Sequence, residues 1–574
     1  MKKIIFALLL FIIAAWLAIP PTVFAQNVAT PENVKPKSPK PESLKPKSLK
    51  PKSLKPVRVL LIPLDDRPPC VEFEQMLGRI ANAEVVAPPR SMLGRFTEAG
   101  KPQAIADWLK NQDLSAFEAA IVSFDMAAYG GLVASRVFDA SLAQSQSRLR
   151  MIEDLHARAP RMPIYGFSII MRLAPTGDGK NEAYRARLAR WAEISPYIAE
   201  DENLKQEVVK LEREIPAAAL ADYKQARARN LAINNQAIEM TARGTLRYLI
   251  LGQDDAKPRG IHVADRESLT AKIKNSNLLN KVAVQPGADE VAMLLLARAL
   301  NDTYDFTPRV LPVFSSEATR NHVAPFEDRK LFETVSYHIN AIGGREVVNS
   351  NEADIQFFVY ASRFEAGAAN RFARQVADAV TANKKVVVAD IDMKGDVQGA
   401  DPAFTEALRR RKIFPRLAGY ASWNTAGNTI GTALPHGAIY TLAVNELTTR
   451  NNNSDSLRLK TETAQVKFLI HRLLDDYAYH AVVRPQAKAF AVERKLNPNN
   501  LDAANTKLVE AFTHEKLAPY LRDFRRDFNL PEDNNFTLAL PWGRTFEAAI
   551  DFHVAAQNAD TKNNMNTENK AQQR

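Results

Sequence analysis

The sequence predicts an α/β protein built from parallel βα units, either TIM-barrel-like or doubly wound. Two observations carry this expectation. Short, largely apolar, β-branched runs recur between residues 57 and 422, and amphipathic helical stretches separate most of them. Apolar runs without alternation are what strands buried on both faces require.

Taken in chain order, the start is not part of that fold. Lys2 and Lys3 precede an apolar run from Ile4 to Ile19, and Val23-Phe24-Ala25 offers small residues before Gln26. That order predicts a secretory signal peptide over residues 1–25 and a periplasmic or extracellular address. Residues 26–56 repeat Lys-Pro-Lys-Ser, as at Lys45–Ser48 and Lys50–Ser53. Proline blocks helix and sheet, and the lysines repel one another, so this segment is expected to be an extended tether. It is also a candidate for contact with an anionic cell-envelope surface.

Strands are expected at 57–64, 84–87, 119–124, 163–170, 247–251, 281–285, 309–314, 354–360, 385–390 and 417–422. Helical patterns such as 141–159, 291–300 and 369–382 lie between them. Residues 181–243 are charged and helical, which reads as an insertion after the fourth strand. A first α/β unit is expected over 57–305 and a second over 306–440. A mainly helical section over 441–555 and a disordered tail over 556–574 complete the chain. Closure of the first eight strands into one barrel is the competing arrangement.

The formal net charge is +11, but residues 1–56 hold ten Lys and two Glu, leaving +3 for the rest. The body is near-neutral, which argues against nucleic acid as a partner. Cys70 is the only cysteine, which excludes an intramolecular disulfide and thiol-rich zinc sites. The nine His show no His-Glu-x-x-His spacing.

In parallel α/β folds, ligands bind beyond the carboxyl ends of the strands. Those ends carry Asp65-Asp66-Arg67, Asp125 followed by Tyr129, Arg172, Asp254-Asp255, Asp289-Glu290 and Trp423-Asn424 with Asn428. Any one of them has a plain structural explanation, since Asp and Asn after a strand often cap the next helix. Capping needs one acceptor per helix, however, and three of these ends carry acidic doublets. Clustered carboxylates on one rim point to proton transfer or to a hard cation.

The segments Pro63–Pro68, Asp125–Arg136, Gly252–Ala256, Gly287–Glu290 and Trp423–Thr429 resemble an uncharacterised bacterial family, domain of unknown function 4127. Asp475-Asp476-Tyr477 and Pro541-Trp542 extend the likeness. The resemblance spans most of residues 57–550, leaves out the tether, and implies no activity.

The leading expectation is a glycoside hydrolase acting on a cell-wall or environmental glycan, because such enzymes use paired carboxylates. Asp254, Asp255, Asp125 and Asp65 are the catalytic candidates. Asp66, Arg67, Tyr129, Arg172, Asp289, Glu290, Trp423, Asn424 and Asn428 are the substrate-binding ones. Tyr129, Trp423 and Trp542 are candidates to stack on sugar faces. The doublet Asp254-Asp255 is similar to the adjacent Asp pair of substrate-assisted N-acetylhexosaminidases, which implies an orienting Asp254 and an acid Asp255. Both reach one pocket only if the strand ends before them, because neighbouring strand residues face opposite ways.

No cofactor is expected on that reading. Two alternatives are a metal-dependent hydrolase of phosphate or amide bonds and a non-catalytic glycan- or solute-binding protein. The former would bind a divalent cation through Asp65, Asp125, Asp254 and His436, with Arg67 and Arg172 holding the anion.

Overall fold

All ten apolar runs form strands, and their partners decide between the two arrangements. The computed structural model describes residues 56–449 and 455–555. The expected signal segment, the tether up to residue 55 and the tail from 556 lie outside them. β1 (Val57–Ile62), β2 (Ala83–Val86), β3 (Ala119–Ser123), β4 (Ile164–Ile170), β5 (Tyr248–Gln253) and β6 (Val282–Pro286) form one sheet. Its order is β2-β1-β3-β4-β5-β6. β7 (Arg309–Phe314), β8 (Arg345–Glu346), β9 (Ile355–Tyr360), β10 (Val386–Asp390) and β11 (Gly419–Ala421) form a second, in the order β11-β10-β9-β7-β8.

Every pair in both sheets is parallel. β7 pairs with β8 and β9, not with β6, so the first eight strands do not close a barrel. The expected TIM-barrel-like alternative is therefore corrected to two open, doubly wound sheets. Each sheet begins with the same winding: its third strand adds on the far side of its first. The two-residue β8 went unforeseen because Arg345 and Glu346 are both exposed and leave no apolar signal.

What joins the sheets is a shared helical layer. Helix Val291–Tyr304 is apolar almost all round (Val-Ala-Met-Leu-Leu-Leu-Ala), and a helix of that kind must be buried on every side. It packs on β3 and β4 and on helix Ala426–Thr449, which in turn lies against β9, β10 and β11. The second helix comes very close to its sheet through glycine. A Cβ on Gly437 would fall 2.0 Å from Val387 Cγ2. One face of each sheet and these helices share one hydrophobic cluster. The boundary expected at 440 consequently falls inside a continuous helix.

The insertion is three helices, Glu182–Ile194, Glu202–Glu214 and Ala217–Ala242. From residue 455 the chain is mainly helical to Asp527 and then adds a hairpin, β12 (Phe536–Ala539) with β13 (Ala549–Phe552). Among the described residues no helix is long and apolar enough to cross a membrane.

Candidate active site

The carboxyl ends of β5 and β6 meet the loops that follow β7 and β11, and a small polar cleft opens between them. Gln253, Asp254, Asp255 and Asp289 line it from the first sheet, and Phe326, Glu327, Asn424, Thr425 and Asn428 from the second. Two of these sequences are shaped for the task. β5 ends at Gln253, and Asp255 takes a left-handed φ of 35°, so consecutive aspartates both reach the cleft. Gly287 has φ 111°, and a Cβ there would lie 1.5 Å from Glu290 Oε1, so only glycine fits.

Three arginines hold the carboxylates. Arg67 donates through Nε and Nη2 to Asp65 (2.7–3.0 Å), and through Nη1 and Nη2 to Asp289 (3.1 and 2.6 Å). Arg136 pairs with Asp254 and donates to Thr176 Oγ1 at 2.7 Å. Arg172 pairs with Asp255. The insertion fixes this last arginine: Arg227 Nη2 donates to the carbonyls of Met171 and Arg172 at 2.9 and 2.6 Å. Every one of the three cations is matched, and among the described residues the cleft presents no unpaired guanidinium.

Glu327 is the exception among the carboxyls lining the cleft, for no cation among the described residues holds it. It is 3% exposed, accepts a hydrogen bond from the Gly427 backbone N–H at 2.8 Å, and leaves its second oxygen without a protein partner. Burial, reinforced by the nearby Glu290 and Asp255, pushes its carboxyl up to about 8. Burial also raises Asp289, but the Arg67 fork limits it to about 6. Asp255 is raised by burial and pulled back by Arg172. The cleft therefore sets a carboxyl that burial raises and no arginine meets beside three that each pair with an arginine.

A family model described as Protein of unknown function (DUF4127) matches residues 59–551. The chain belongs to that family. No curated protein matches it.

Of the residues singled out in this DUF4127 chain, Asp254, Asp255, Asp289, Asn424 and Asn428 line the cleft together. Asp65 and Arg67 stand just behind, joined to Asp289. Asp125 lies deeper: one oxygen accepts from Ile169 N at 2.9 Å, the other has no partner, and burial lifts it to about 7. Glu290 is fully buried under the cleft and accepts from Asn428 Nδ2 at 2.5 Å, fixing that side chain. Asp66 accepts from the Trp542 indole at 2.7 Å, and burial raises its carboxyl.

The expected aromatic platforms are corrected, because the core has taken all three. Tyr129 is buried with Arg229 4.2 Å over its ring. Trp423 is buried, donates to Thr432 Oγ1 and meets Phe73 edge-on. Trp542 is clamped between Arg67 and Arg544, 4.7 and 4.5 Å from its ring. His436 is also elsewhere: it accepts from Tyr420 N and pairs with Gln465 inside the second sheet's core. Among the described residues, no three His, Cys, Asp or Glu side chains converge as a metal-ligand set.

Sequence reasoning missed Glu327, Arg136 and Phe326. Arg136 stood inside a segment carrying the family resemblance and could have been found there. Glu327 and Phe326 follow Ala324-Pro325 in a loop without a strand end beside it, and no local pattern marks them. The remaining family segments are structural here. Asp476 accepts from Ser422 N at 2.6 Å and from Arg472 Nη1 at 2.9 Å, anchoring the strand end that leads to Asn424.

Proposed function

We propose that this chain is an exported glycoside hydrolase acting on a cell-wall or environmental glycan. The observation that carries the reading is the contrast between Glu327 and Asp255 in one cleft. Burial raises both carboxyls, but only Asp255 meets an arginine, and that difference can divide the roles of acid and base between them. Glu327, neutral at pH 7, would protonate the leaving glycosidic oxygen. Asp255, the most accessible carboxylate and paired with Arg172, would act as base or nucleophile at the anomeric carbon. Asp254, anchored by Arg136, would orient the sugar with Asn424 and Asn428. This assigns Asp255 the ionised role instead of the acid role implied by the hexosaminidase-like doublet, because an ion pair favours the charged form.

Glycan is favoured over a phosphate ester because Arg67, Arg136 and Arg172 are already matched by carboxylates. A neutral polyol asks only for hydrogen bonds, which the cleft's carboxylates and amides supply. Incubation of the protein with peptidoglycan fragments and common polysaccharides, with products read by mass spectrometry, should show cleavage that survives chelation. Loss of turnover with chelator would favour the metal-dependent reading, and binding without cleavage the non-catalytic one. Asp255→Asn should lower turnover by about 10²-fold with ligand affinity largely kept. Full activity in that variant would sink the assignment.

Export rests on residues 1–25 alone. Cell fractionation should place the protein outside the cytoplasm with Gln26 at its N-terminus. Cytoplasmic protein retaining Met1 would overturn the address.

A further inference from the structure

Phe326 is an anomaly that the carboxylate chemistry leaves unused. It is a large apolar side chain, yet 44% exposed at the mouth of a polar cleft. Its backbone is left-handed at φ 66°, a conformation bulky residues rarely adopt. Strained residues of this kind persist where the surroundings over-determine them, and they cluster at ligand sites.

The surroundings do over-determine it. The Phe326 carbonyl accepts from Ala256 N at 2.8 Å, which ties its loop to the segment just after Asp254-Asp255. Across from it, Gly395 sits in the loop after β10 at φ 69°, and a Cβ there would come 3.2 Å from the Phe326 ring. The ring is thus backed by a residue without a side chain and remains open to the cleft. Its chain neighbour is Glu327.

We infer that Phe326 is the platform of a sugar subsite, on which the flat C–H face of a pyranose ring lies while its hydroxyl edge meets Asp254, Asp255 and Asn428. The inference rests on the glycan reading and narrows it to cyclic sugars with one apolar face. An aromatic ring rewards burial of such a face and does nothing for an extended polyol. A nucleotide would also stack, but its phosphates would meet carboxylates and arginines already neutralised.

The test is titration calorimetry of the full protein with a panel of α- and β-linked pyranose disaccharides, including an N-acetylated one, and with sorbitol. Wild type should bind at least one disaccharide and not sorbitol. Phe326→Ala should weaken that affinity by about tenfold, and Phe326→Trp should retain it. Thermal melts of both variants show whether the fold is kept. Disaccharide binding that is equal in wild type and Phe326→Ala overturns the platform and leaves the glycan reading standing. Absence of binding to every disaccharide overturns both.

Discussion

Glu327→Gln lowers turnover by roughly 10³-fold and leaves the protein folded, because a proton donor contributes about 10²–10⁴ and glutamine has no proton to give. Glutamine matches the neutral carboxyl in shape and can still accept from the Gly427 N–H. The stability effect has a definite sign. Burial raises the folded carboxyl from 4.5 to about 8, so the folded chain binds this proton more tightly than the unfolded one. The wild type therefore loses stability as pH rises from about 4.5 through about 8, by on the order of 5 kcal/mol for a shift of this size. The glutamine variant escapes that loss. Denaturant melts at pH 5 and pH 8 should show the variant gaining on the wild type at the higher pH. The pH–rate profile of the wild type should fall above about 8 as the acid ionises. An unchanged rate in Glu327→Gln would remove the residue from the chemistry.

Arg67→Met should cost about 3–5 kcal/mol of stability, the largest single effect we expect outside the hydrophobic core. The substitution keeps the side chain's bulk but leaves Asp65 and Asp289 buried without their cation. It also removes the charge that lies on the Trp542 ring. Without Arg67, the Asp289 carboxyl rises further above its unfolded value. The deficit should then narrow as pH falls and Asp289 takes up a proton. Adding Asp289→Asn should recover part of the loss. Urea melts of wild type, single and double variants measure this directly, and a single variant within 1 kcal/mol of wild type would contradict the hub.

The fold was legible because buried parallel strands write themselves as apolar runs, and all ten appear where the composition placed them. Barrel closure was not legible, because pairing between strands leaves no local mark on either one. β7 could have followed β6 in space; it pairs with β9 instead. The strand-end rule located Asp254, Asp255 and Asp289 because those positions follow from where strands stop. The same rule pointed to Tyr129 and Trp423. An aromatic near a strand end looks alike whether it faces a cleft or the core, and here the core holds both.

The sequence by itself determined the basic-then-apolar pattern of residues 2–25, the near-neutral charge of the body, the parallel α/β class and the carboxylates at the strand ends. Those properties are local, set by residue type and spacing. Tertiary structure decided which carboxylates share a cleft, which arginine each one meets, and that Glu327 meets none. Protonation depends on burial and on neighbours far apart in sequence, as with Arg67 and Asp289, 222 positions apart. The chemistry of the cleft is consequently a product of the two sheets packing together, not of any one segment.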